Sequence, residues 1–119
     1  MTRTTGIDAV HYLAKDLQRA TAFYREVLGL QPSSGSRWDH GTEFELGDGS
    51  TFGIFAMPDG SWYPCGGVMF AVTDIGAAAQ RLRDAGVHFF TNGLLEMPGC
   101  RVAWCRDPEG NTFAIHARK

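Results

Sequence analysis

Gly49-Ser50-Thr51-Phe52-Gly53-Ile54-Phe55 and Gly110-Asn111-Thr112-Phe113-Ala114-Ile115-His116 run in step, glycine on glycine and Thr-Phe on Thr-Phe. Each reads as a turn feeding a strand: the glycine suits the turn, and the aromatic and β-branched residues after it suit a pleated, half-buried surface. Two copies of one turn and strand mark an internal repeat, so the rest of the chain is read for two similar halves.

Working outward from the first copy, 42–46 and 51–55 flank Gly47-Asp48-Gly49-Ser50, a hairpin signal. Residues 7–14 read as an opening strand. Asp16 fits a helix N-cap, and Leu17, Ala20, Phe23, Tyr24, Val27 and Leu28 keep helical spacing up to Gly29. Trp38 lies in a weak second strand. The second half repeats the order, with a strand over 68–72 and a cap at Asp74. Helical positions Ile75, Ala78, Leu82 and Ala85 follow and end at Gly86. Strands over 87–90, 101–105 and 112–116 complete it, the last two joined by the turn Asp107-Pro108-Glu109-Gly110-Asn111. Residues 57–66, rich in Pro, Gly and Ser, form a connection. The expectation is one α+β domain of two βαβββ modules in tandem, module one over 1–56 and module two over 67–119. One module cannot cover both faces of its sheet; two can, with helices outside and a shared cleft between the sheets.

The chain has 119 residues, enough for one core. It is 44% hydrophobic and 20% charged, and its 13 acidic and 11 basic residues leave a net charge of −2. Such a balance makes no case for nucleic acid or an anionic membrane as partner. No apolar run is long enough to span a bilayer, and residues 1–6 lack the apolar stretch of a signal peptide, so a cytoplasmic protein is expected. Cys65, Cys100 and Cys105 agree with a reducing compartment and have no zinc-ribbon or Cys-x-x-Cys spacing.

Asp16-Leu17 with Ala22-Phe23-Tyr24-Arg25-Glu26-Val27-Leu28-Gly29, then Val72-Thr73-Asp74-Ile75, Ala85-Gly86-Val87 and Asp107-Pro108-Glu109-Gly110-Asn111, form a set that resembles the vicinal oxygen chelate superfamily. That superfamily includes glyoxalase I, extradiol dioxygenases, fosfomycin-resistance enzymes and bleomycin-resistance proteins. The resemblance covers nearly the whole chain and implies a glyoxalase-like cleft. It does not specify a reaction, because one fold hosts many functions. It also implies a divalent metal held by His and Glu from the first and last strands of each half. The corresponding positions here are Ala9, Gly53, Gly67 and Ala114. None offers a side-chain donor, and a metal site needs about three or four converging N, O or S ligands. No metal and no cofactor is therefore expected. Four small residues at the cleft centre either leave room for a ligand or merely allow close strand packing.

Strand alternation sorts the faces. With Ala9 in the cleft, Ile7, His11 and Leu13 join it, and so do Thr51, Gly53 and Phe55; Gly67, Met69 and Ala71; and Thr112, Ala114 and His116. Hairpin pairing adds Phe44 and Leu46, then Arg101, Ala103 and Cys105, and puts Glu43, Glu45 and Trp104 on the helix side. The candidate ligand-binding residues are thus His11, Phe44, Thr51, Phe55, Met69, Arg101, Cys105, Thr112 and His116, with Trp62 from the connection folding over the mouth. This apolar and aromatic lining with a few polar groups suits a small-molecule pocket.

His11 and His116 are the candidate acid and base, since imidazole titrates near neutral pH; the alternatives are ligand contacts, a displaced metal site, or hydrogen-bonded histidines without chemistry. Arg101 is a candidate carboxylate or phosphate clamp, or a plain salt bridge. Cys105 is a nucleophile only if a cation lowers its pKa; otherwise it is a small buried residue. Trp38, Trp62, Tyr63, Phe89 and Phe90 are set either to stack on a planar ligand or to pack at an interface. Residues 93–99 form an apolar loop before a cleft strand, a lid or an ordinary loop.

The expected function is metal-free binding of a planar or amphipathic small molecule, similar to the drug-sequestering, antibiotic-resistance members of the superfamily. A near-neutral chain argues against a strongly cationic drug such as bleomycin. The rival is a lyase, isomerase or dioxygenase-like enzyme using the cleft histidines or a displaced metal. A third possibility is a regulatory or assembly subunit with a vestigial cleft. On the family's habit, the partner is a second copy in a homodimer.

Overall fold

A computed structural model describes residues 2–33 and 40–119. Trp38 falls outside them. The first half holds strand β1 (Val10–Leu13), helix α1 (Leu17–Ala22) running into a π turn (Phe23–Val27), and strands β2 (Gln31–Pro32), β3 (Gly41–Glu45) and β4 (Thr51–Phe55). The second holds β5 (Val68–Ala71), α2 (Ile75–Asp84), β6 (His88–Phe89), β7 (Leu95–Glu96), β8 (Cys100–Arg106) and β9 (Thr112–Arg118).

The strands form two sheets, ordered β1-β4-β3-β2 and β5-β9-β8-β6, with β7 added on β8. In each sheet the opening strand runs parallel to the closing one and the rest pair antiparallel. The two halves therefore share one topology, as the repeat requires.

Local chemistry fixes the helices. The Asp16 carboxylate accepts from Arg19 N at 3.1 Å and that of Asp74 from Ala77 N at 3.0 Å, satisfying helix-start donors. In α2, Ile75, Ala79 and Leu82 lie one turn apart and are buried. Leu28 N donates to Phe23 O, five residues back. This wider winding puts consecutive aromatics, Phe23 and Tyr24, both into the core.

Tyr24 sits at the centre of that core, its ring within 5.0–6.4 Å of Phe44 and Phe52 from the first sheet and Phe70 and Phe113 from the second. One face of each sheet packs on this shared cluster; the other, here called the outer face, turns away from it.

The two halves are locked by the turn of residues 107–111. Tyr24 Oη donates to Asp107 Oδ2 at 2.6 Å, and Asp107 Oδ1 accepts from Glu109 N and Asn111 N, each at 2.9 Å. Glu109 accepts from Lys15 N and Asp16 N at 3.1 and 2.9 Å and pairs with Arg19. Asn111 donates to Leu13 O at 2.7 Å and accepts from Cys65 N at 2.8 Å. Tyr12 Oη donates to Thr112 O and accepts from Val68 N. Asp107, Glu109 and Asn111 are all buried, and every one of these bonds crosses or braces the junction. The helical stretch that carries Phe23 and Tyr24 and the turn of residues 107–111 thus meet each other and build the scaffold.

Residues 93–99 are anchored rather than lid-like: β7 pairs Leu95 with Val102 and Glu96 with Arg101, extending the second sheet.

Candidate functional site

Cross-strand register decides what stands on each outer face, because residues directly opposite share a face. In the first sheet one row is His11–Gly53–Glu43, with Leu13–Phe55–Gly41 on one side and Thr51–Glu45–Gln31 on the other. In the second, the matching rows are Met69–Ala114–Trp104, Ala71–His116–Val102 and Thr112–Arg106–His88.

His11, Thr51, Phe55, Met69, Thr112 and His116 stand on outer faces, as alternation predicts. Four other expectations are corrected. Phe44 is fully buried opposite Phe52 and belongs to the core, while Glu43 takes the outer face beside Gly53. Cys105 is likewise fully buried opposite Phe113; burial pushes its thiol up to about 11, so it is no nucleophile at neutral pH. Arg101 shares the face of Ala103 and Cys105, and its Nε donates to Glu96 at 2.6 Å, a surface ion pair. Trp104, expected under the helix, stands instead on the outer face beside Ala114.

Trp62 does not roof the outer faces. Its ring lies over Gly110 with Lys15 Nζ 4.4 Å from the centroid, at the junction. Tyr63 is exposed.

His11 and His116 stand on different sheets. His11 Nε2 lies 3.4 Å from Glu43 Oε2, and its imidazole lies across Gly53, so that a Cβ at Gly53 would overlap the ring. The space left by the small residue at this usual ligand position is filled by the histidine next to it. Gly67 has φ +101°, a conformation that a ligating side chain would hold only under strain. With Ala at the remaining two positions, the residues present do not fit the family's metal. Among the described residues, no three His, Cys, Asp or Glu side chains converge to hold one elsewhere.

The cavity that joins the halves lies in the gap between the edge strands β1 and β5 and has a volume of about 580 Å³. Buried Phe52 and Phe70 lie at its base with Leu30 and Leu46, and exposed Asp8 and Asp48 at its edge. Of the residues expected in the cleft, Ile7, Ala9, Leu46, Thr51, Met69 and Ala71 border it, Thr51 and Met69 being the two among the candidate ligand-binding residues. Leu30 and the core side of β4 and β5 were missed because alternation assigns them to the core and carries no sign of a gap between two strands that do not pair.

Residues with clear functional chemistry but structural use are Tyr12 and Tyr24. Burial raises Tyr12 to about 12 and puts Tyr24 well above the usual phenol value, so both stay protonated as junction donors. Burial also raises the Asp107 carboxyl above its ordinary value.

Among the described residues no helix is long and apolar enough to cross a membrane. No curated protein matches the chain in sequence. Among solved structures it is similar to TnmS3, an antibiotic binding protein from Streptomyces sp. CB03234, at 20% identity and TM-score 0.79 over 100% of each chain. It is similar to lactoylglutathione lyase from Agrobacterium tumefaciens at 20% identity and TM-score 0.75, over 97% of this chain and 95% of that one. It is also similar to a putative glyoxalase family protein from Bacillus anthracis at 22% identity and TM-score 0.80, over 100% and 99%. At these identities the likeness establishes the fold. The family model of the Glyoxalase/Bleomycin resistance protein/Dioxygenase superfamily matches residues 6–115, and the chain belongs to that superfamily.

Proposed function

We propose that the protein binds a small planar or amphipathic molecule without a metal, in the gap between its two halves, as a homodimer in the cytoplasm. The observation that carries the reading is the cavity of about 580 Å³ between β1 and β5. Its size falls in the range of ligand pockets, about 300–1,000 Å³, and its wall of leucine and phenylalanine with a few polar groups at the edge is the usual make-up of such sites. The likeness to an antibiotic binding protein supports a sequestering role in antibiotic resistance. Apolar residues rim the gap in the single chain: Ile7 is 84%, Val10 39% and Met69 46% exposed. A second copy would cover them. The free cysteines suit a reducing compartment.

The test is a thermal-shift screen of planar organic compounds on protein dialysed against chelator, with Ala71→Trp as the variant that fills the cavity. A compound binding the folded state adds about 2.7 kcal/mol of stability at a hundred times its Kd. The expected result is a ligand that stabilises the wild type and not the variant. Equal stabilisation of both, or a stoichiometric metal without which no compound binds, overturns the reading.

The His11–Glu43 contact favours one rival, a lyase or isomerase in which Glu43 orients the imidazole as general base. Turnover of an α-hydroxycarbonyl or thiohemiacetal substrate, abolished in His11→Ala and reduced about a hundredfold or more in Glu43→Gln, would establish it.

A further inference from the structure

From the outer strip of the second sheet we infer a site for an aromatic carboxylate, distinct from the gap cavity. Its parts come from two neighbouring strands. Phe90 N donates to Trp104 O at 2.8 Å, which sets Phe90 beside Trp104, while His88 pairs with Arg106. Trp104 and Arg106 are two residues apart on β8 and so share the outer face. The Arg106 guanidinium carbon lies 4.8 Å from the Phe90 centroid, and the His88 and Phe90 rings meet edge to face at 5.0 Å.

Arg106 differs from Arg19, Arg25, Arg81 and Arg101 by making no ion pair or backbone contact of its guanidinium with a described residue, and from Arg118 of β9 by resting on a ring. Arg19, Arg25 and Arg101 each pair with a carboxylate, Arg81 donates to Glu26 O, and Arg83 rests on Phe89. Arg106 makes no ion pair with any described residue; its one contact of this kind is the ring of Phe90. A guanidinium stacked on a ring keeps its N–H groups in plane and pointing outward, ready for a two-pronged carboxylate contact. Phe90 is 47% exposed, unusual for so large an apolar side chain, and Trp104 beside it is partly exposed. A planar ring thus has two aromatic surfaces to lie on, at the height where its carboxylate meets Arg106. One fixed cation with a two-pronged donor face matches the single negative charge of a carboxylate better than a phosphate.

The corresponding strip of the first sheet rules out a general surface effect. There Glu45 stands where Arg106 does, and Glu43 where Trp104 does, so the same topology presents carboxylates.

The test titrates the full chain with 2-naphthoate and with the isosteric neutral 2-naphthamide, by calorimetry and by the NMR shift of the Trp104 indole N–H, assigned as the peak that Trp104→Phe removes. The acid is expected to bind at least tenfold more tightly than the amide and to move that peak. Arg106→Gln, an exposed position, should abolish the preference without lowering Tm, and Ala71→Trp should leave it intact. Equal binding of acid and amide, no binding of either, retention of the preference in Arg106→Gln, or an unmoved Trp104 peak would each overturn the inference. Loss of the preference in Ala71→Trp would overturn the separation of the two sites.

Discussion

The two turns that precede the closing strands align in sequence and are used in opposite ways. In the first half, Asp48 bonds Ser50 alone among the described residues, through backbone N–H at 3.0 Å and hydroxyl at 2.5 Å, and the whole turn is exposed. In the second half, Asp107, Glu109 and Asn111 are buried and tie Tyr24, Leu13, Lys15, Asp16 and Cys65 into one network. A duplicated element needs only one of its copies to hold the halves together, which leaves the other free to be an ordinary hairpin. The outer faces diverge in parallel: His11–Gly53–Glu43 is polar and acidic, whereas Met69–Ala114–Trp104 is apolar and aromatic. Divergence is concentrated where the topology does not depend on the side chain.

The largest expected effect tests the turns. Asn111→Ala leaves Leu13 C=O and Cys65 N–H without their partner in a buried setting, at about 1–3 kcal/mol for each unsatisfied group. A loss of about 3 kcal/mol in urea unfolding is expected, against less than about 0.5 kcal/mol for the exposed Ser50→Ala. Similar losses at the two positions would break the contrast.

The next effect concerns the outer faces. Gly53→Val should cost about 2 kcal/mol, the scale of overpacking, because the new side chain collides with the His11 ring. In a His11→Ala background the cost should fall below about 1 kcal/mol, since the colliding ring is gone. Additive losses would show that the ring does not rest on Gly53.

How far the sequence led can be judged from these residues. The alternation of β1 separates Tyr12 from His11, and that of β9 separates Phe113 and Ile115 from His116, as the structure does. The repeat and the caps at Asp16 and Asp74 suffice for the topology. The errors cluster in β3 and β8, whose faces depend on hairpin register. A slip of one residue exchanges the faces of a whole strand. In β3 the connection pairs Glu45 with Thr51, so Phe44 opposes Phe52 and goes inside. In β8, Arg106 pairs with Thr112, so Cys105 goes inside and Trp104 outside. The polar Glu43 and Glu45 alternating with Phe44 carried the right signal for β3. In β8 the expected hairpin pairing is one residue out of register, which exchanges the faces of Cys105 and Trp104. The gap between β1 and β5 was not legible at all. It arises where two edge strands of separate sheets fail to pair, and no local pattern encodes that separation.

The smallest effect is one of pH, and it sets the two turn aspartates against each other. Hydrogen bonds from the Ser50 hydroxyl and N–H hold Asp48 below the ordinary carboxylate range, while burial raises Asp107 despite the donors from Tyr24, Glu109 and Asn111. For Asp107 the folded pKa lies above the unfolded one, about 3.9, so the fold binds this proton more tightly than the unfolded chain does. Its contribution to stability is fully present below that unfolded value and is lost as pH rises through the raised folded value. For Asp48 the sign reverses: its contribution holds above the unfolded value and is lost as pH falls through the depressed one. Because Asp48 is a fully exposed surface group, solvent screens this second contribution nearly away. Titration of the two side-chain carboxyl carbons by NMR should place Asp48 below and Asp107 above a free aspartate. If Asp107 instead titrated below it, the hydrogen bonds to the carboxylate would outweigh its desolvation. The junction would then be strongest at neutral pH rather than in mild acid.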